Sequence, residues 1–206
     1  MEKVIIAMKG HPGTGKSTVA ESISKALKLP LLDKDDVRDS TLSLQRSLLL
    51  LTSSPDAASS LLNDLSYLAI WQIASTQLRL GLSLVIDSPL SRPAHLDRLV
   101  QLASTYGARL LIVECKPSDE AEWRRRLESR GSPSPSQAAE NETGSGWHKP
   151  STWRDMERLL EGYGGCTEYD VGGVPKMVVD TTADVSFEEL VSGVVEFILS
   201  HCAHSS

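Results

Sequence analysis

The sequence predicts an α/β fold in which a mostly parallel sheet is flanked by helices. Three observations lead there. The runs "KVIIAMKG", "LSLVIDSP" and "ARLLIVEC" are rich in apolar, β-branched residues, the pattern of strands buried on both faces. Segments with apolar residues at helical spacing separate them. Glycine-rich or acidic residues stand where strands run out, the edge at which such sheets bind ligands.

The first strand, "KVIIAMKG", leads through a glycine-rich loop into a helix with Val19, Ile23 and Leu27 on one face. A second helix places Leu65, Leu68, Ala69, Ile73, Thr76 and Leu80 on one face and stops at Gly81. "LSLVIDSP" is a strand ending in Asp87, and Pro93 suits the first turn of the next helix. That helix turns Leu96, Leu99, Val100 and Ala103 inward and ends at Gly107. "ARLLIVEC" is again a strand, followed by the helix of "PSDEAEWRRRLESRG", with Ser118 as cap and acids in its first turn. "SPSPSQAAENETGSG" has prolines, glycines, small polar residues and no periodicity, which predicts a mobile loop. "STWRDMERLLEGYGG" is helical, "VPKMVVDTT" is a last short strand, and Phe187, Leu190, Val191, Val194 and Ile198 mark an amphipathic C-terminal helix.

At 206 residues the chain fits one domain, and its 40% hydrophobic and 23% charged composition is that of an ordinary globular protein. A net charge of −6 argues against a general nucleic-acid surface, which needs clustered lysine and arginine. Cys115, Cys166 and Cys202 are odd in number, widely spaced and without metal-ligand spacing, so reduced thiols in the cytoplasm are expected. The start is too quickly polar for a signal peptide, and no apolar run approaches the ~20 residues that span a bilayer. Oligomeric state is left open.

Gly10, His11, Pro12, Gly13, Thr14, Gly15, Lys16 and Ser17 fit G-x-x-x-x-G-K-[ST] without a mismatch. The chemistry requires these types. Glycines let backbone N–H groups turn around phosphate oxygens, and the following helix adds its N-terminal dipole. Lys16 supplies a point charge to the β- and γ-phosphates, and Ser17 offers a hydroxyl to Mg²⁺. Thr18 extends the same segment, while His11 and Pro12 shape the loop. The expected architecture is therefore a P-loop NTPase-type sheet with ATP and Mg²⁺ as ligands. A GTPase would need N-K-x-D, and neither Asn63 nor Asn141 is followed by lysine.

"GHPGTGKST", "DKDDVRDS", "LSLVIDSPLSRP" and "WRRRLESRG" follow one another as in small P-loop hydroxyl kinases, and over about residues 3 to 131 the chain resembles them. That group includes polynucleotide 5′-hydroxyl kinases, chloramphenicol phosphotransferase and zeta-toxin-like enzymes. The resemblance implies a helical lid, here about residues 118–160, closing over ATP. It implies that Asp35 is the base for the acceptor hydroxyl, with Arg38 orienting that carboxylate or the phosphoryl group. Asp33, Asp36 and Asp39 read as a helix cap and a solvated face. Asp87 is implied at hydrated Mg²⁺ or the acceptor, and Arg92 either faces the acceptor pocket or lies on the surface. Arg126 and Arg130, a helical turn apart, would neutralise the transferring phosphoryl group. Asp180 and Thr181 fall where relatives hold adenine. Trp147 and Trp153 read as packing at the lid base, with acceptor stacking as the alternative.

These features imply an ATP- and Mg²⁺-dependent kinase acting on a small-molecule hydroxyl. A polynucleotide 5′-hydroxyl kinase shares every catalytic motif but needs a basic channel, and an ATP-binding regulator without an acceptor is the third reading. Residues Ser40 to Tyr67, which shape the acceptor pocket, carry no readable motif.

Overall fold

A computed structural model describes residues 3–51, 55–131, 149–163 and 168–202. The predicted mobile loop, Trp147 and Cys166 lie outside these residues, and the Arg130 side chain is likewise not described. Five strands, β1 (Lys3–Lys9), β2 (Leu31–Asp33), β3 (Leu84–Asp87), β4 (Ala108–Cys115) and β5 (Lys176–Val179), form one sheet in the order β2-β3-β1-β4-β5. Every pair is parallel. The helices are α1 (Lys16–Leu27), α2 (Lys34–Asp39), α3 (Leu42–Leu51), α4 (Pro55–Arg79), α5 (Pro93–Tyr106), α6 (Glu120–Gly131), α7 (Trp153–Tyr163) and α8 (Phe187–Cys202).

The double-sided burial expected of the strands follows from strand periodicity. Ile5 and Ala7 of β1, with Leu84, Ile86 and Ile112, meet α4 and α5 on one face of the sheet. Val4, Ile6 and Met8, with Val85, Leu111 and Val113, meet α1 and α8 on the other. A satellite cluster of Leu127, Trp153 and Met156 joins α6 to α7, with Trp123 and Trp153 edge to face at 5.1 Å between centroids. Trp153 thus packs between α6 and α7. Among the described residues no helix is long and apolar enough to cross a membrane.

Three expectations need correction. The inward face of α4 is Ala58, Leu62, Tyr67, Ile70, Trp71, Ala74 and Leu78, while Leu65, Leu68, Ile73 and Leu80 are exposed. This helix carries aliphatic residues around most of its circumference, so spacing alone could not select the face; the large aromatic pair Tyr67 and Trp71 did. On α5, Leu102 is buried and Val100 is exposed. At the start of α6 it is Asp119 that accepts from Glu122 N–H (3.0 Å), because Ser118 is bonded to Asp180 instead.

The sheet's C-terminal edge carries buried charge. Parallel pairing sets Asp33 beside Asp87, and Lys9 beside Glu114. Glu114 accepts from Lys9 and from Lys176 (2.9 Å). Burial opposes its ionisation, but hydrogen bonds from the two lysines outweigh this and hold its pKa below the ordinary value. Glu114→Gln keeps an acceptor but leaves the Lys9 ammonium without its counter-charge. A loss of about 1–3 kcal/mol is expected in denaturant melts.

Candidate active site

The glycine loop joins β1 to α1. Gly10 has φ 147°, and a Cβ there would stand 2.6 Å from the Cys115 carbonyl oxygen, so only glycine fits beside β4. At Gly13 a Cβ would meet the Trp123 ring at 3.1 Å. Trp123 donates its indole N–H to Pro12 O (2.8 Å) and stacks near His11, so α6 is anchored on the loop itself. Gly15, φ 79°, immediately precedes α1 and aims the first-turn amides at the loop's interior.

His11, Pro12, Gly13, Thr14, Gly15, Lys16 and Ser17 line one cavity with Asp35. Lys34, Ser91 and Arg92, from the segments after β2 and β3, line it too, with Asn63, Tyr67, His95 and Lys149, which carry no sequence motif. Asp33 caps α2 by accepting from Asp35 N–H (2.7 Å), which fixes the turn presenting Asp35. Both Asp35 oxygens are ion-paired, Oδ1 with Lys34 (2.9 Å) and Oδ2 with Lys149 (2.8 Å). Lys34 also donates to Asn63 Oδ1 (3.1 Å) of α4. Lys149 comes from the segment before α7, and no local pattern marks it in the sequence.

Lys16 donates to Asp87 Oδ1, and both side chains are buried. Among the described residues Asp87 Oδ2 has no hydrogen-bond partner. Neighbouring Asp33 has its pKa pushed up to about 6 by burial and then by the negative charge of Asp87. A hydrated Mg²⁺ fits these donors: a serine hydroxyl on the cavity wall and a buried carboxylate with an unused oxygen, since Mg²⁺ keeps several waters and takes one or two carboxylates.

Arg38, expected to orient Asp35 or the phosphoryl group, is 1% exposed and sits between α2, α3 and α4. It donates to Thr41 (2.8 Å), Gln45 (2.6 Å) and Ser59 (3.2 Å), and it does not line the cavity. Burial lowers its pKa below the arginine norm. Its place is structural: a long side chain on a short helix folded under α4 once the chain turned back.

Arg126 and Thr18 line a different hollow, outside the loop, with Gly13, Gly15, Thr181 and Phe187. Arg126 donates to Thr181 O (3.1 Å) and Glu122 (2.7 Å), and Thr181 donates to Thr14 O (2.7 Å). Asp180 faces neither hollow. It accepts from Ser118 N–H (3.0 Å) and Thr182 N–H (2.9 Å), tying the start of α6 to the end of β5. Burial raises its pKa, but the bonds from Ser118 and Thr182 dominate and hold it well below the carboxylate range. Thr181, rather than Asp180, is the residue of that pair in contact with the loop.

His95 stacks on Tyr67 at 3.8 Å, and among the described residues its Nδ1 lacks a partner. Burial, then the charge of Arg92, lowers its pKa to about 4, with Lys34 adding to this and Asp64 opposing it. A histidine depressed in the folded state costs stability as pH falls from its unfolded value near 6.5 to about 4. Asp33, raised to about 6, has the opposite slope over the overlapping range. The expected result is therefore a difference: His95→Phe, which keeps the stack on Tyr67, loses less thermal stability than wild type between pH 7 and pH 5 (melts at a series of about five pH values).

Among curated protein sequences none matches this chain. Solved structures do. A protein from Chloroflexus aurantiacus J-10-fl, provisionally assigned as a kinase, is 22% identical with TM-score 0.64, covering 96% of this chain and 97% of that one. A gluconokinase from Sinorhizobium meliloti 1021 is 18% identical with TM-score 0.58, covering 98% of each. The Mycobacterium tuberculosis APS kinase CysC, solved with AMPPNP and APS, is 15% identical with TM-score 0.51, covering 96% of this chain and 98% of that one. At these identities the likeness is one of fold: a P-loop parallel sheet shared with kinases. The family described as AAA domain matches residues 5–145, from β1 through the glycine loop and the Asp35 turn past α6, and this chain belongs to it.

Proposed function

We propose that this protein is an ATP- and Mg²⁺-dependent phosphotransferase of the small P-loop hydroxyl-kinase type, moving a γ-phosphoryl group to a hydroxyl of a small molecule. One observation carries the reading: Lys16 of the phosphate loop and Asp35 line the same cavity. A triphosphate would occupy the loop amides, drawing Lys16 from Asp87 onto phosphate oxygens. Ser17 and Asp87 would hold hydrated Mg²⁺, which when bound offsets phosphate charge. The hollow at Thr18, Arg126 and Thr181 takes the nucleoside end, so Arg126 acts there in this conformation and not on the γ-phosphate.

The acceptor enters from the wall of Lys34, Asn63, Tyr67 and His95. Its hydroxyl reaches Asp35 by displacing one of the paired ammonium groups. The Lys149 side chain, 33% exposed, yields more readily than that of Lys34 at 6%. Asp35 then takes the hydroxyl proton as the oxygen attacks phosphorus, a role that needs only hydrogen-bond reach. That three kinase structures share this fold supports the reading. The test is transfer from labelled ATP to a panel of polyols, sugar acids, nucleosides and 5′-hydroxyl oligonucleotides, with Asp35→Asn as control. Hydrolysis or binding of ATP with no labelled acceptor in any arm would leave only a nucleotide-binding protein.

A further inference from the structure

The acceptor wall has more positive charge than its one carboxylate needs. Lys34 and Lys149 already satisfy both oxygens of Asp35, and Arg92 lines the same cavity as a third cation. Among the described residues the Arg92 side chain makes no hydrogen bond or ion pair, yet its charge is felt at His95. Asp36 and Asp64 are close enough to act on Lys149 and His95 electrostatically, but neither lines the cavity. Lys16 and Asp87 cancel one another beside the loop.

The Arg92 backbone is also held in place. It immediately precedes α5, following Leu90, a buried residue with φ 47°. A non-glycine residue in that region persists only where its surroundings over-determine it. Here Gly10 N–H donates to Pro89 O (3.2 Å) and the Tyr169 hydroxyl donates to Leu90 O (2.7 Å). That turn sets the backbone from which the exposed Arg92 side chain reaches the cavity, and Lys149 lines the same cavity from the segment before α7.

We infer that the phosphate acceptor is itself an oxyanion, a hydroxyl compound carrying a carboxylate or phosphate group that Arg92 and Lys149 bind while its hydroxyl lies at Asp35. This rests on the phosphotransferase reading and narrows its substrate class. A planar guanidinium with no side-chain partner among the described residues matches a carboxylate or phosphate in bidentate fashion. Lys149, once displaced from Asp35 by the hydroxyl, is left beside the same anion. The amide nitrogen of Asn63, whose Oδ1 is engaged by Lys34, serves hydroxyls on the acceptor's body.

The test uses the full chain saturated with AMPPNP and Mg²⁺, so that the phosphate loop is occupied. Binding of gluconate, glucose 6-phosphate and uncharged glucose is measured by calorimetry on wild type, Arg92→Leu and Arg92→Lys. At least one acid is expected to bind about tenfold or more tightly than glucose, and the better acid tells carboxylate from phosphate. Arg92→Leu removes that difference, Arg92→Lys restores part of it, and AMPPNP affinity stays within about twofold. Equal or absent binding of acids and glucose overturns the inference. So does an Arg92→Leu variant that weakens AMPPNP and spares the acids, since the arginine then serves the nucleotide. Phosphoryl transfer measured on the same three compounds separates the two levels. Transfer to glucose without preference for an acid keeps the phosphotransferase and sinks the oxyanion, whereas acid binding without transfer to any compound does the reverse.

Discussion

Asp35→Asn is expected to lower phosphoryl transfer about 10²–10⁴-fold while AMPPNP binds as it does to wild type. The amide keeps the size of the side chain and one acceptor oxygen, but it cannot take a proton from the attacking hydroxyl. Asp35 also anchors Lys34 and Lys149, so the substitution releases two ammonium groups toward the cavity. That side effect has its own signature. Weaker folding would appear as a lower melting temperature, and altered charge would appear in KM for the acceptor. A lost base appears in kcat with the fold intact. If transfer survives Asp35→Asn within about threefold, Asp35 is a structural anchor for two lysines and not the base.

Lys16→Ala should be the most damaging single change, and in two separable ways. It removes the point charge on the triphosphate, so AMPPNP binding is lost. It also strips Asp87 of its only hydrogen-bond partner among the described residues, with the other carboxylate oxygen already unpartnered and the side chain 1% exposed. Breaking a buried pair from one side costs about 3–5 kcal/mol, and in a domain of this size each kcal/mol moves the melting temperature by about 2–4 °C. The stability half should be recoverable. Lys16→Ala with Asp87→Asn removes the orphaned charge and regains most of the melting temperature, while nucleotide binding stays lost. Equal melting temperatures for Lys16→Ala and wild type would mean that Asp87 relaxes into water and that the pair contributes little.

These two expectations differ in how far the sequence alone could carry them. Lys16 and its role follow from a contiguous loop whose residue types are dictated by phosphate geometry. Asp35 stands on the turn after a strand, a position that local pattern and resemblance both mark. Asp87 was legible as a strand-end carboxylate, but its partner was not, because pairing with Lys16 depends on β3 lying beside β1. Arg38 sits within the same motif as Asp35 yet is folded under α4, and its burial was decided by a helix whose inward face spacing could not choose. Trp123, which anchors α6 on Pro12, was hidden in a run that reads as a basic helix.

By itself the sequence determined the parallel α/β sheet, the phosphate loop and the carboxylates at the strand ends. Each of these is written in neighbouring residues: β-branched runs, glycines where a Cβ would collide, acids at the turn that follows a strand. Only the tertiary structure decided which cations pair with Asp35, which arginine lines the same cavity and which lines a different hollow. Lys149, Arg92 and Arg126 come from separate segments, and ion pairing acts across space with no regard to spacing along the chain. The crossovers of a parallel sheet bring such residues to one edge, so which side chains share a cavity with Asp35 became readable only once the strand order was known.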